Sequence, residues 1–133
     1  MEISKIFDKY EIGFKFVCSE VKKQLKNVNK YIHVRHEMSK EEKEFQYIIE
    51  IIKPDTQNKD DYGIAVDFTI KLSDQNVNIQ IDVSKSYGFI YFSKFFNLRV
   101  ENENVDSNDF DKSITWMKVL PDLILKEYLR DYK

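Results

Sequence analysis

At 133 residues, with 33% charged and 42% hydrophobic side chains, the sequence is sized for one folded domain over 1–133 and fits neither a disordered nor a membrane-embedded chain. The net charge of −2 argues against general nucleic-acid binding, and a lone cysteine, Cys18, excludes an intrachain disulfide. With no apolar leader after Met1 and no long apolar run, the expected location is the cytoplasm and no membrane is involved.

Nineteen aromatic residues against a single alanine, Ala65, predict a core of bulky side chains, which suits sheets better than tight helical bundles. Ile3, Phe7, Tyr10, Phe14, Val17, Val21, Leu25 and Val28 recur at steps of three and four, so residues 3–28 read as a helix, with Ile6 and Cys18 widening its apolar stripe. Cys18 therefore reads as a packed side chain rather than a nucleophile. Gly13 costs about 1 kcal/mol against alanine inside a helix, which makes it the place for a bend or break. Lys22, Lys23, Lys26 and Lys30 gather at the C-terminal end, where they face water and complement the helix dipole.

Tyr31 to Glu37 alternates and reads as a short strand. His33 and His36 then point to opposite faces and cannot share a metal. Residues 39–53 carry two patterns. Ser39 with Glu42 forms a capping box ahead of Phe45, Ile48, Ile49 and Ile52 at helical spacing, whereas Phe45, Tyr47, Ile49 and Ile51 fit a strand. Four isoleucines within 48–52, ended by Pro54, favour the strand, over 44–53. A polar loop, Asp55 to Asp61, follows.

The strongest pattern is the hairpin Tyr62 to Ser84. Ile64, Val66, Phe68, Ile70 and Leu72 alternate with polar residues, as do Val77, Ile79, Ile81 and Val83. A turn centred on Asp74 and Gln75 places Leu72 opposite Val77, Ile70 opposite Ile79, Phe68 opposite Ile81 and Val66 opposite Val83. One face is thus an aliphatic plate whose burial holds the register, because a slip of one residue would turn all of it outward. The other face sets Asp67 beside Asp82. Two carboxylates on neighbouring strands are a means of holding a divalent metal or of acid–base work, so Asp67 and Asp82 are the candidate residues of a metal-dependent hydrolase or nuclease. The acid, any residue, lysine spacing of restriction-type nucleases is not met: Ser84 stands where lysine is needed, and Lys85 falls on the opposite face. The pair reads instead as a solvated face on which Lys71 relieves the repulsion.

Ser86, Tyr87 and Gly88 turn the chain into Phe89, Ile90, Tyr91 and Phe92, and Phe95, Phe96, Leu98 and Val100 extend that character. A strand apolar on both faces is either covered on both or meets a partner, and coverage by its own core is the first expectation. Glu101, Glu103, Asp106, Asp109 and Asp111 then follow with no basic residue between them, which reads as a solvated loop. It lacks the glycine and the closing glutamate of a calcium loop. Phe110, Ile114, Met117, Ile124 and Tyr128 continue at helical spacing, with Pro121 splitting or kinking that helix by starting a second segment.

The sum is an α+β two-layer sandwich: an antiparallel sheet of four or five strands, flanked by an N-terminal and a C-terminal helix that both lie on the aliphatic plate. Without a catalytic motif or cofactor-binding pattern, the reading is a non-enzymatic protein-binding module that masks a basic protein partner, in the manner of an immunity protein or antitoxin. Tyr87, Phe89 and Tyr91 would supply apolar contacts, and Glu101, Glu103, Asp106, Asp109 and Asp111 would steer the encounter. An acidic dimeric chaperone or adaptor is a second reading, and a homodimer through the two-faced Phe89 strand at a sheet edge a third. The enzymatic reading rests on Asp67 and Asp82.

Overall fold

The structure, a computed structural model, describes residues 1–52, 62–85 and 89–132. A short turn of helix at Ile3–Lys5 leads into α1 (Ile6–Val28), followed by β1 (His33–Lys40), β2 (Glu44–Ile52), β3 (Tyr62–Leu72), β4 (Asn76–Lys85), β5 (Phe89–Glu101), β6 (Asn104–Val105), α2 (Ser107–Met117) and α3 (Leu120–Tyr132). The strands form one curled six-stranded antiparallel sheet in sequence order, with all helices on one face. The helix–strands–helix order expected from the sequence holds, with six strands in place of four or five. No helix among the described residues is long and apolar enough to cross a membrane.

The β3–β4 register is the one the aliphatic plate demands: Leu72 faces Val77, Ile70 faces Ile79, Phe68 faces Ile81 and Val66 faces Val83. All of these except Leu72, which is half-buried, lie under the helices. Residues 44–52 are strand, so burial of Phe45, Tyr47, Ile49 and Ile51 overrides the capping box at Ser39 and Glu42. Ser39 instead lies in β1 opposite Gln46, and Glu42 lies in the tight β1–β2 turn, which Glu41 N–H closes onto Glu44 C=O at 2.8 Å. β1 accordingly runs on to Lys40, beyond the end its alternation suggests. The loop expected over Asp55–Asp61 and the turn at Ser86–Gly88 lie outside the described residues.

α1 is continuous through Gly13. A Cβ there would stand 3.3 Å from Ile114 Cδ1, so the glycine serves the close approach of α2 rather than a bend. On its sheet side Phe14 stacks on Phe68 at 4.1 Å and meets Phe45 and Tyr47 at 5.7 and 5.8 Å. Truncating such a ring to alanine costs about 3–5 kcal/mol. The phenol of Tyr10, buried between α1 and α2, donates to Ser113 Oγ at 2.6 Å, while Ser113 donates to the Phe110 carbonyl at 2.7 Å. Burial pushes the Tyr10 pKa far above its ordinary value, so the phenol stays a donor.

The acidic stretch after β5 is not one long loop. Asn102 and Glu103, both with positive φ (51° and 62°), make a two-residue turn between β5 and β6. Asp106 then caps α2 by accepting from the N–H groups of Asn108 and Asp109 at 2.8 and 3.1 Å. Pro121 sits in the first turn of α3, where its missing N–H costs nothing. The N-terminus is tied to the same corner, with Ile3 N–H donating to Glu103 C=O at 3.0 Å and Val105 N–H to Met1 C=O at 2.8 Å.

Candidate interaction surface

The sheet face away from the helices carries Asp67 and Asp82, directly opposite each other as the alternation requires. The groups that hydrogen-bond to the two carboxylates are neutral donors, while Lys71 stands in register between Glu44 on β2 and Asn78 on β4. Gln46 Nε2 donates to both oxygens of Asp67 at 3.2 Å, and the Thr69 hydroxyl donates to it at 3.3 Å. Gln80 Nε2 and Ser93 Oγ donate to the two oxygens of Asp82 at 2.9 and 2.7 Å. Each carboxylate thus spends its acceptors on its own donors, and no bond or shared proton joins the two. Among the described residues no group of three or more His, Cys, Asp and Glu side chains is close enough to hold a metal ion.

The histidines point to opposite faces. His33 stands on the open face opposite Ile52, while His36 on the helix side has Nδ1 2.9 Å from the Tyr47 hydroxyl and 3.6 Å from Cys18 Sγ. Burial pushes the Cys18 thiol pKa up, which makes it a packing group rather than a thiolate.

The unusual surface is β5. On its helix side Phe92 and Phe96 lie under Trp116 of α2, with ring centroids 5.8 and 5.9 Å apart, and Lys94 Nζ sits 5.4 and 5.7 Å from the Phe96 and Trp116 rings. On the open side Phe95 is 65% exposed and Ile90 60%. The expectation that both faces are covered by the core therefore fails: the two layers of the sandwich supply cover on one side only. Phe95 belongs to an otherwise polar row with Ser93, Asn97 and Arg99, beside a shallow depression of about 360 Å³ lined by Thr69, Gln80 and Asn97.

The edge of β5 is also open. Val100 N–H donates to Gln75 C=O on the β4 side, so in an antiparallel ladder the even-numbered residues from Phe92 to Val100 bond to β4. Ser93, Phe95, Asn97 and Arg99 aim their N–H and C=O groups outward. Along β5, β6 pairs with Val100 and Glu101 alone, and no other backbone bond reaches positions 93–99 among the described residues.

Of the residues singled out in the sequence, Tyr87 lies outside the described residues. Phe89 and Tyr91 hold the first and third places of β5, and the register shifts by one residue at Tyr91. Glu101, Glu103, Asp106, Asp109 and Asp111 are all exposed at the far end. Tyr91 and Glu101 are ten residues apart along an extended strand, about 33 Å at 3.3 Å per residue, so one chain does not bring its aromatic and acidic groups together. Asp106 is committed to capping α2, and Arg99 Nε lies 3.1 Å from Glu101 Oε1. Phe95 was missed as a site residue. The signal for it is the polar row it interrupts, which becomes readable only once the bulge at Tyr91 fixes which residues share its face.

No protein-family model, curated protein sequence or solved structure matches the chain.

Proposed function

We propose that the chain is a non-enzymatic, cytoplasmic protein-binding module that masks a basic protein partner, of the immunity-protein or antitoxin type. The observation that carries this reading is the exposure of Phe95 and Ile90 on the uncovered side of an edge strand that runs into five exposed carboxylates. Exposed aromatic and aliphatic side chains on a polar face are the usual anchors of a protein interface, and a one-signed rim speeds encounter with the opposite charge. Glu101, Glu103, Asp109 and Asp111 are the steering residues. Asp106 is better understood as a helix cap.

Affinity capture from the native host, with the purified chain as bait, tests the reading. One basic protein retained stoichiometrically is the expected result, with association slowed at low salt by charge reversal at Glu103, Asp109 and Asp111 while the melting temperature holds. Retention of no basic protein, or association indifferent to those reversals, would overturn it.

A further inference from the structure

From the open edge of β5 we infer that two copies of this chain pair antiparallel through β5, and that the pairing builds the composite apolar and acidic surface that one chain lacks. The composite surface rests on the masking function proposed above; the pairing itself rests only on the strand.

The regular stretch of β5 runs from Phe92 to Leu98, beyond the bulge at Tyr91 and short of the β6 turn, and its midpoint is Phe95. Ser93, Phe95 and Asn97 present outward N–H and C=O groups, so a two-fold axis at Phe95 lets Phe95 exchange both bonds with Phe95 of the second copy, and Ser93 with Asn97. The two sheets would join through residues 93–97, the stretch of the β5 edge that β6 leaves open. Residues opposite each other in this register share a face: Phe95 meets Phe95 on the open side, and Phe92 meets Leu98 on the helix side.

Charge disfavours the neighbouring register centred on Lys94. Lys94 is the lone charged residue between 92 and 98. A two-fold axis at Phe95 sets it opposite Phe96 of the second copy, extending the aromatic environment it already has beside Phe96 and Trp116. An axis at Lys94 would set two lysines directly opposite, which destabilises a sheet. Lys94 and the bulge at Tyr91 thus act as guards against indiscriminate edge pairing while permitting this one.

Pairing about Phe95 extends over residues 93–97 and stops where β6 fills the place beside Val100 and Glu101, so residues 89–91 of one copy leave the shared edge at the Tyr91 bulge and come up against the β5–β6 corner of the other. The apolar start of β5, with exposed Ile90, then adjoins the acidic β5–β6 corner of the second copy, and symmetry makes this happen twice. The groups that stand about 33 Å apart within one chain become neighbours across the axis.

The test is the mass of the purified full chain by light scattering from micromolar to millimolar concentration. The expected mass is twice the 16.0 kDa of one chain. Asn97→Pro removes an outward N–H and leaves the β4 ladder intact, and Phe95→Lys places like charges at the axis; each should return the mass to that of one chain with an unchanged far-ultraviolet spectrum. A wild-type chain that stays at the mass of one chain throughout, or a dimer that survives both substitutions, would overturn the pairing. A single-chain mass together with a captured basic protein sensitive to the acidic residues would overturn the pairing alone. A dimer that captures no basic protein would support the pairing and overturn the masking function.

Discussion

The two edges of this sheet are built differently. β1 closes one side with eight residues that include two histidines, Arg35, Glu37 and Lys40. Its two cations are engaged: Arg35 makes a two-pronged pair with Glu50 at 3.1 Å for both bonds, and Lys40 binds Asp8 on α1. On the other side the two-residue β6 covers only the end of β5, a strand of thirteen residues with one charge between Phe92 and Leu98 and a phenylalanine facing water. Both strands have a row of outward backbone groups, since Glu41 N–H bonds to Glu44 C=O and so leaves Val34, His36, Met38 and Lys40 aimed away from β2. Natural sheets blunt exposed edges with charge, and this chain does so thoroughly at one edge and sparsely at the other. The difference leaves β5 the less protected of the two edges, which is why the pairing inferred above is placed there.

That contrast can be broken in several ways. The largest expected effect is at Trp116, which covers the helix side of β5. Trp116→Ala should cost about 2–3 kcal/mol in urea unfolding, less than a fully buried ring because Trp116 is only partly buried. A loss under about half a kcal/mol would mean that β5 is held by β4 alone. Next comes the charged edge. Arg35→Ala should cost about 1 kcal/mol, since it strands Glu50 in a partly buried site, yet leave the mass of the protein unchanged. Phe95→Lys should do the reverse, altering mass and not stability. If both substitutions moved the same property, the two edges would not have separate roles.

Smaller still is the effect at Glu103, whose backbone is left-handed. Glu103→Gly relieves that conformation and should raise stability by about 0.5–1 kcal/mol while slowing association with a basic partner, a trade expected only if the carboxylate is kept for contact. The smallest effect is in acid. Lys40 holds the exposed Asp8 carboxyl below its usual pKa of 3.8. A carboxylate whose folded pKa is depressed adds stability above its unfolded pKa and loses it as the pH falls through the folded one. Asp8→Asn should therefore lower stability slightly at neutral pH, with the difference from wild type vanishing in strong acid and shrinking with added salt.

Much of the fold was legible because burial of one face leaves the sequence little freedom. The alternation from Ile64 to Val83 set both strands, their pairing and the opposed aspartates, and the stripe from Phe7 to Leu25 set α1. The segment at Ser39 shows the limit, since a local capping signal worth about 1 kcal/mol loses to the burial of four side chains on β2. Asn104 and Val105 were unreadable as a strand because two residues carry no period, and their pairing is fixed by the turn at Asn102 and Glu103. The candidate surface was half-legible. Its chemistry was visible as aromatic residues followed by acids, but their separation along β5 depends on the strand running straight for thirteen residues, which an alternation broken at Tyr91 conceals.

Amide hydrogen exchange on the wild-type protein, read residue by residue at low and high concentration, tests the central claim most directly. If β5 is the contact edge, the amides of Ser93, Phe95 and Asn97 slow markedly as concentration rises, while His36 and Met38 on β1 exchange quickly throughout. Equal, concentration-independent exchange at the two edges would contradict the claim.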